Sequence, residues 1–322
     1  MALQFVPGPV RVAVPATSAN LGPGFDTLGL ALSIYDRVSA RIGHDGVHVA
    51  VTGEGASEVP ADETHLVAAT MLATFDVLGV GHPPGLELVC ENAIPHARGL
   101  GSSSAAIVAG ILLARALVDH GAATSTGAAL DDAAALRLAA DIEGHPDNVA
   151  PCLLGGFTIA WTGPRGAAAV RMEPAPGVRP VVLVPASRGL TATARAALPA
   201  DVPHADAAFN AARAALLVYA LTTDPDLLLE ATEDRLHQDY RAPGMPDTAG
   251  LVRRLREQGA AAVVSGAGPS VLVLRAAAGA GERELEIPEG WCARSLSVPA
   301  VGGRILVRGH AEGDTVAAGL PS

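Results

Sequence analysis

The stretch Pro95-His96-Ala97-Arg98-Gly99-Leu100-Gly101-Ser102-Ser103-Ser104-Ala105-Ala106 constrains this chain most. A strand-like run, Leu86 to Val89, precedes it, and an apolar helical run, Ile107 to Val118, follows it. Between them lie glycines and serines, so backbone N–H groups can approach a ligand with no side chain in the way. Such a loop ends at a helix N-terminus. Its unpaired N–H groups and positive dipole end suit an anion, phosphate above all. Taken alone, the pattern fits equally a Gly/Ser turn that only starts a buried helix.

What the chain lacks narrows its chemistry. It has no Gly-x-x-x-x-Gly-Lys-Ser/Thr segment and no lysine, so its 22 basic residues are all arginine. A Walker-type loop, a Schiff-base lysine and the strand lysine of protein kinases are therefore excluded. A nucleotide bound here would have its charge met by backbone N–H groups, a helix dipole, Mg²⁺ and arginine, with serine hydroxyls on metal or phosphate oxygens. A net charge of -11 and the absence of any basic run argue against a nucleic-acid surface. The longest apolar run, Ser104 to Val118, is broken by Arg115 and is too short to span a bilayer. Met1 to Pro9 has neither the basic start nor the apolar core of a signal peptide. Three widely spaced cysteines, Cys90, Cys152 and Cys292, read as reduced thiols of a cytoplasmic protein.

A chain of 322 residues has room for two domains. The Gly/Pro/Ala-rich stretch from Gly163 to Pro180 is the expected boundary, giving domains 1–165 and 166–322. Val10 to Val14 reads as a strand, followed by a Gly/Pro-rich loop from Pro15 whose polar side chains Asn20 and Asp26 suit ligand or turn. Strands at Arg37–Arg41 and Val47–Val51 flank Gly43-His44-Asp45-Gly46, a hairpin signal. Thr64 to Leu78 has helical spacing, and His44, His48 and His65 read as surface or turn residues. A helix over Asp131–Ile142 leads into Glu143-Gly144-His145-Pro146-Asp147-Asn148-Val149-Ala150-Pro151. A simple turn does not need Glu, His, Asp and Asn together, and a carboxylate beside a phosphate site is a natural Mg²⁺ ligand. Further helices are expected at Ala205–Leu221, Leu227–Leu236 and Thr248–Gln258. A second glycine-rich turn, Ser265-Gly266-Ala267-Gly268-Pro269-Ser270, lies between strands at Ala261–Val264 and Val271–Leu274. Gly121–Gly127 reads as a loose connection and Gly309–Ser322 as a frayed tail.

Together, Pro15–Leu32, Pro95–Ala106 and Ser265–Ser270 resemble the GHMP family of small-molecule kinases, which includes galactokinase, homoserine kinase and mevalonate kinase. Within it, Pro-Ala-Thr-Ser-Ala-Asn-Leu-Gly-Pro-Gly-Phe-Asp at 15–26, Glu143–Pro151, and the contexts of Arg195 and Arg241 are similar to the homoserine kinase branch. The resemblance implies an α+β, two-domain fold. Its N-terminal domain would be ribosomal-protein-S5-like and its C-terminal domain ferredoxin-like, with the site between them. It implies ATP-dependent phosphorylation of the L-homoserine hydroxyl on the route to threonine, by a homodimer.

The resemblance also implies roles. ATP would be bound by Pro95, Arg98, Gly99, Leu100, Gly101, Ser102, Ser103 and Ser104, with Gly266 and Gly268 of the second turn, and the backbone N–H groups of Gly99, Gly101, Ser102 and Ser103 would cradle its β- and γ-phosphates. Ser103 and Glu143 would hold Mg²⁺, with Asp141 a rival carboxylate. Arg195 and Arg241 would pair with the substrate carboxylate, Asp26 with its ammonium or attacking hydroxyl, and Asn20 and His145 would orient it. Catalytic positions would be Asp147, Asn148 and Arg195. A base is weakly demanded, because the transition state of phosphoryl transfer is loose. Another kinase of the family, or a sensor without activity, are the competing readings.

Overall fold

The computed structural model describes residues 5–6, 8–118, 130–276 and 285–308. The expected connection at 121–127 and the expected tail lie outside them. β1 (Val10–Asn20) and β2 (Gly24–Gly43) pair antiparallel around a turn at residues 21–23. From Val12 onward every residue of β1 is buried. The loop expected from Pro15 is therefore strand up to Asn20. Pro15 sits where the β1–β2 register shifts, a bulge that tolerates proline. Thr17, Ser18 and Asn20 look loop-like only because their partners are far along the chain.

Gly43-His44-Asp45-Gly46 does connect β2 to β3 (Gly46–Gly53), but it makes no hairpin. β4 (Gly85–Asn92) lies between the two strands, antiparallel to β2 and parallel to β3. Parallel neighbours need a crossover, and α1 (Leu66–Val77) supplies it. His65 is buried and its ring nitrogen accepts from Val67 N at the start of α1, so it is no surface residue.

α2 (Ser102–Leu117) is apolar nearly all round, which suits a helix with protein on every side. It packs against β1, α1, α3 (Asp132–Glu143) and α4 (Pro146–Leu154). Asp131 caps α3, accepting from Ala134 N at 2.7 Å. Within Glu143–Pro151 the chain turns only at Gly144, the left-handed C-cap of α3. His145 is then the N-cap of α4 and Pro146 opens the helix, where a missing N–H costs nothing.

β5 (Phe157–Gly163) and β6 (Gly166–Met172) form a hairpin that joins β2 at Leu28–Leu30. The expected boundary at 165/166 falls in this hairpin's turn, so β6 pairs within the first sheet. A four-stranded sheet follows, in the order β10-β7-β9-β8, from β7 (Arg179–Pro185), β8 (Ala261–Val264), β9 (Val271–Arg275) and β10 (Trp291–Ser295). Between β7 and β8 run α5 (Thr191–Ala196), α6 (His204–Thr222), α7 (Leu228–Ala231), α8 (Gln238–Arg241) and α9 (Pro246–Glu257). The helix expected over Leu227–Leu236 is broken because the Asp234 carboxylate accepts from Leu236, His237 and Gln238 N and starts a new turn.

Alternate residues of the smaller sheet face opposite ways. Val181, Leu183, Val271 and Val273 meet Leu251 and Leu255 of α9. Val182, Val184, Leu272 and Leu274 join Leu217 and Leu221 of α6 in a core continuous with the larger sheet. Finally β11 (Arg304–Arg308) returns to pair antiparallel with β1, from Val10↔Arg308 to Ala13↔Arg304. The larger sheet thus has seven strands, the last drawn from the expected second domain. Among the described residues no helix is long and apolar enough to cross a membrane. The three cysteines are unpaired, with Cys90 and Cys152 buried.

Asp36 of β2 is the buried acid that makes this fold pH-sensitive. It accepts from Ala93 N (2.6 Å) and Ile94 N (2.9 Å), yet burial pushes its pKa up to about 6. The unfolded value is ~3.9. A raised carboxyl favours the folded state most when protonated, so its contribution is complete below the unfolded value and is lost as pH rises through about 6. Across roughly pH 4 to 6 the unfolding free energy of the wild type should fall relative to Asp36→Asn by on the order of 2–3 kcal/mol. Urea titrations at several pH values would show this as diverging midpoints.

Candidate active site

The site begins at α2. Its N-cap is Gly101, left-handed at φ 72°, with no side chain capping the helix. Two constraints fix glycine there. The conformation is one that other residues rarely adopt. A Cβ would also lie 2.0 Å from Thr17 Oγ1 and 3.3 Å from Asn148 Oδ1. Gly99 is equally confined: φ is 71°, and a Cβ would lie 2.2 Å from Ser265 O of the second glycine-rich turn. The two turns are bonded together, since Ser265 Oγ donates to Gly99 O at 2.6 Å. Leu100 O accepts from Thr17 N, tying the loop to β1.

α4 brings a second helix start to the same cleft, and His145 makes no side-chain cap there. Among the described residues both sets of first-turn N–H groups are therefore left without a side-chain acceptor, at a cleft of about 270 Å³. That is the arrangement that binds anions. Glu143, the last residue of α3, ties that helix to the start of α2: Oε2 accepts from Ser103 Oγ at 2.7 Å and Oε1 from Ser104 Oγ at 2.9 Å. Asp147 is buried and accepts from the His145 ring (Nδ1 to Oδ1, 2.7 Å). This bond holds the His145 pKa above the ordinary range. Asn148 Oδ1 accepts from Thr17 Oγ1 at 2.8 Å, leaving its amide NH₂ for a ligand.

The β1–β2 turn forms the facing wall. Asn20 Nδ2 donates to Gly266 O, and Asn20 Oδ1 accepts from Asp26 N. Asn20, Leu21, Asp26 and Ala97 are the non-glycine residues with positive φ among the described residues, and all but Leu21 line this cleft. Each such conformation costs on the order of 1–3 kcal/mol and concentrates at functional sites. Arg195 of α5 forms a two-pronged ion pair with Asp26, at 2.9 and 2.8 Å. Arg241 of α8 donates from Nε to Ala194 O and from Nη1 to His237 Nδ1. Among the described residues no carboxylate lies within ion-pair distance of it, and burial lowers its pKa.

The structure thus gathers Asn20, Asp26, Arg98 to Ser103, Glu143, His145, Asp147, Asn148, Arg195, Arg241 and Gly266 around one cleft. Pro95, Ser104 and Gly268 are not on its lining; Ser104 acts through Glu143 and Gly268 through its backbone bond to Ser265. Arg98 lines the cleft, but its guanidinium is engaged by the carbonyls of His96, Pro185 and Ala186. It ties the loop to the second lobe and is not poised as a phosphate ligand. Asp141 is exposed and off the lining, which leaves Glu143 as the carboxylate at the loop. Sequence reasoning did not mark Thr17, Phe25, Gly189, Leu190 or His237. Phe25 is signalled only by its place between Asn20 and Asp26; it lies under Arg195 and Arg241 at 5.6 and 5.3 Å.

A second cavity of about 340 Å³ adjoins the cleft at Ala97, Ser102 and Ser103. Val38, Val59, Pro60, Leu66 and Val67 make it apolar, with Asn92 and Thr64 on its wall.

An α+β fold with uncapped helix starts at a cleft between two lobes is the architecture of small-molecule kinases that grip phosphate with the backbone. Residues 65–156 match the family described as GHMP kinases N terminal domain. The fold superposes on the crystal structure of homoserine kinase from Cytophaga hutchinsonii with a TM-score of 0.78 and 24% identity, over 95% of this chain and 100% of that one. The chain is 58% identical over 297 residues to homoserine kinase of Streptomyces avermitilis, covering 92% of this chain and 95% of that protein. It is 52% identical over 304 residues to that of Clavibacter michiganensis, covering 92% and 94%. The chain belongs to the homoserine kinase branch of the GHMP kinase family.

Replacing Gly101 by alanine should force Thr17 and Asn148 apart and reposition the first turn of α2. We expect nucleotide affinity to fall at least ~10-fold, with strain of ~1–3 kcal/mol in the folded state. Calorimetric titration with a non-hydrolysable ATP analogue, alongside a melting curve, measures both.

Proposed function

We propose that this protein transfers the γ-phosphoryl group of ATP to the side-chain hydroxyl of L-homoserine, releasing ADP and O-phospho-L-homoserine. The observation that carries the proposal is the pairing, at one cleft, of two uncapped helix starts with a Glu143 carboxylate held by Ser103 and Ser104. Phosphoryl transfer asks mainly for positioning and charge stabilisation, which this arrangement supplies without a lysine. The base of ATP fits the adjoining apolar cavity, and the triphosphate crosses the start of α2 where Gly99 and Gly101 leave the amides bare.

The donor set beside the loop fits Mg²⁺. It is all oxygen, one carboxylate and serine hydroxyls, and Mg²⁺ typically takes few protein ligands and completes its shell with phosphate and water. Among the described residues no three His, Cys, Asp or Glu side chains cluster as a closed cage. Glu143 and Ser103 are the residues that would hold the ion, which when bound neutralises charge on the phosphate oxygens.

The acceptor is an α-amino acid because the wall opposite offers both halves of a zwitterion's complement. Asp26 and Arg195, paired with each other, present one acid and one base. Arg241 adds a buried cation that, among the described residues, has no carboxylate within ion-pair distance. The substrate carboxylate takes Arg195 and Arg241, its ammonium takes Asp26, and Asn20 and His145 fix its orientation. Asp147 holds the His145 ring and acts through it. The free amide of Asn148 orients the hydroxyl, so general-base help is slight.

Two measurements test this division of labour. Losing base assistance costs only ~10²–10⁴-fold, so Asn148→Ala should retain more turnover than Glu143→Ala in a coupled ADP-release assay; equal losses would count against these roles. In the same assay L-homoserine should be turned over in preference to L-serine, whose hydroxyl is one methylene short. Binding of both ligands with no ADP released would identify a sensor.

A further inference from the structure

His237 has no place in the roles described so far, yet it is fully buried between the two walls of the substrate pocket. Its Nε2 donates to Gly22 O at 2.8 Å, in the turn that separates Asn20 from Asp26. That bond places the ring proton on Nε2 and leaves Nδ1 as an acceptor. Nδ1 lies 3.2 Å from Arg241 Nη1 and accepts from it. Burial lowers the pKa of the ring, which keeps it neutral and its acceptor available. Asp234, itself buried, fixes the backbone of 236–238 and sits 3.6 Å from Nε2. Phe25 flanks the ring at 5.2 Å and lies beneath Arg241.

Arg241 needs such a partner. Its Nε is held by Ala194 O and its Nη1 by His237 and, more weakly at 3.4 Å, by Gly266 O. Among the described residues Nη2 has no protein acceptor, so the guanidinium presents that edge to the cleft it lines. Without the Nδ1 acceptor the guanidinium loses the only side-chain hydrogen bond it makes among the described residues, and Nη1 is left with the long contact to Gly266 O.

We propose that His237 is a positioning residue for substrate recognition. Through one neutral ring it ties the Gly22 turn of the first lobe to Arg241 of the second, and so fixes the spacing between the groups that take the two ends of the amino acid. The proposal rests on the reading of Arg241 as a carboxylate ligand, and the experiment separates the two.

Steady-state kinetics of the full-length protein would be measured for His237→Ala, His237→Asn, His237→Gln and Arg241→Ala. Asparagine places an acceptor near Nδ1, whereas glutamine reaches the Nε2 position and keeps only the Gly22 contact. Hydrogen bonds to charged groups are worth enough that His237→Ala and His237→Gln should raise KM for L-homoserine by roughly tenfold or more, with His237→Asn within about threefold of wild type. KM for ATP should stay within about threefold throughout, which also serves as the control for folding. If Arg241→Ala raises KM for homoserine while His237→Ala and His237→Gln leave it unchanged, the positioning role is wrong. A parallel rise in KM for ATP, or loss of nucleotide binding in all three His237 variants, would make the residue merely structural and would equally overturn it. Should Arg241→Ala itself leave KM for homoserine unchanged, the reading of Arg241 falls instead.

Discussion

The close approach of Gly101 to Thr17 and Asn148 is the constraint from which the rest of the site follows. A side chain at 101 would push the loop off β1 and cap or tilt α2. With glycine there, the helix start is open, and Leu100 O and Thr17 N lock the loop to a strand that is buried along nearly all its length. Thr17 then serves two ends at once: its backbone holds the phosphate loop and its hydroxyl orients Asn148. Because Asn148 is in the first turn of α4, the same contact sets the second helix start relative to the first. Few residues with small side chains achieve this, which is why the contact region is dense in glycine, serine and threonine.

Charge is handled by a similar economy. In a chain without lysine, arginine carries every fixed positive charge, and arginine is rigid, planar and needs acceptors placed to match. The structure provides them from the backbone: carbonyls of 96, 185 and 186 for Arg98, and of 194 and 266 for Arg241. Arg98 is thereby turned into a brace between the lobes. Arg195 makes a two-pronged pair with the Asp26 carboxylate, whereas Arg98 only reaches Glu54 at 4.0 Å, and a zwitterionic ligand can replace each half of the Arg195–Asp26 pair with its own.

Much of this was legible in the residues. The helix after the Gly/Ser loop, the gathering of Glu143, His145 and Asn148, and the apolar strands of the second lobe follow from local patterns that the structure repeats. What was hidden depended on pairing at long range. Gly43–Gly46 has the composition of a hairpin turn, and nothing local reveals that β4, some forty residues on, inserts beside β2. Pro15–Asn20 has the composition of a loop, and its polar side chains are accommodated in a buried strand only because residues 148, 265 and 266 come back to meet them. His237 carries no local signal, since its two partners are contributed by Gly22 and Arg241, one of them a backbone oxygen that no side-chain pattern can advertise. Family resemblance supplied the roles of Arg195 and Arg241, which in isolation read as surface arginines.

The return of β11 to β1 carries a mechanical corollary. The smaller lobe is not a bead on a single thread. It leaves the seven-stranded sheet after β6 and re-enters it at β11, so two peptide crossings suspend it. The second crossing is laced down, with Ser33 N bonded to Ser297 O, Gly156 N to Pro299 O and Gly303 N to Cys152 O. A body hung from two fixed pivots can swing about the line that joins them but cannot twist freely or drift away. Rotation about the line between the two crossings is therefore the displacement of the lobe carrying Arg195 and Arg241 that this connectivity opposes least.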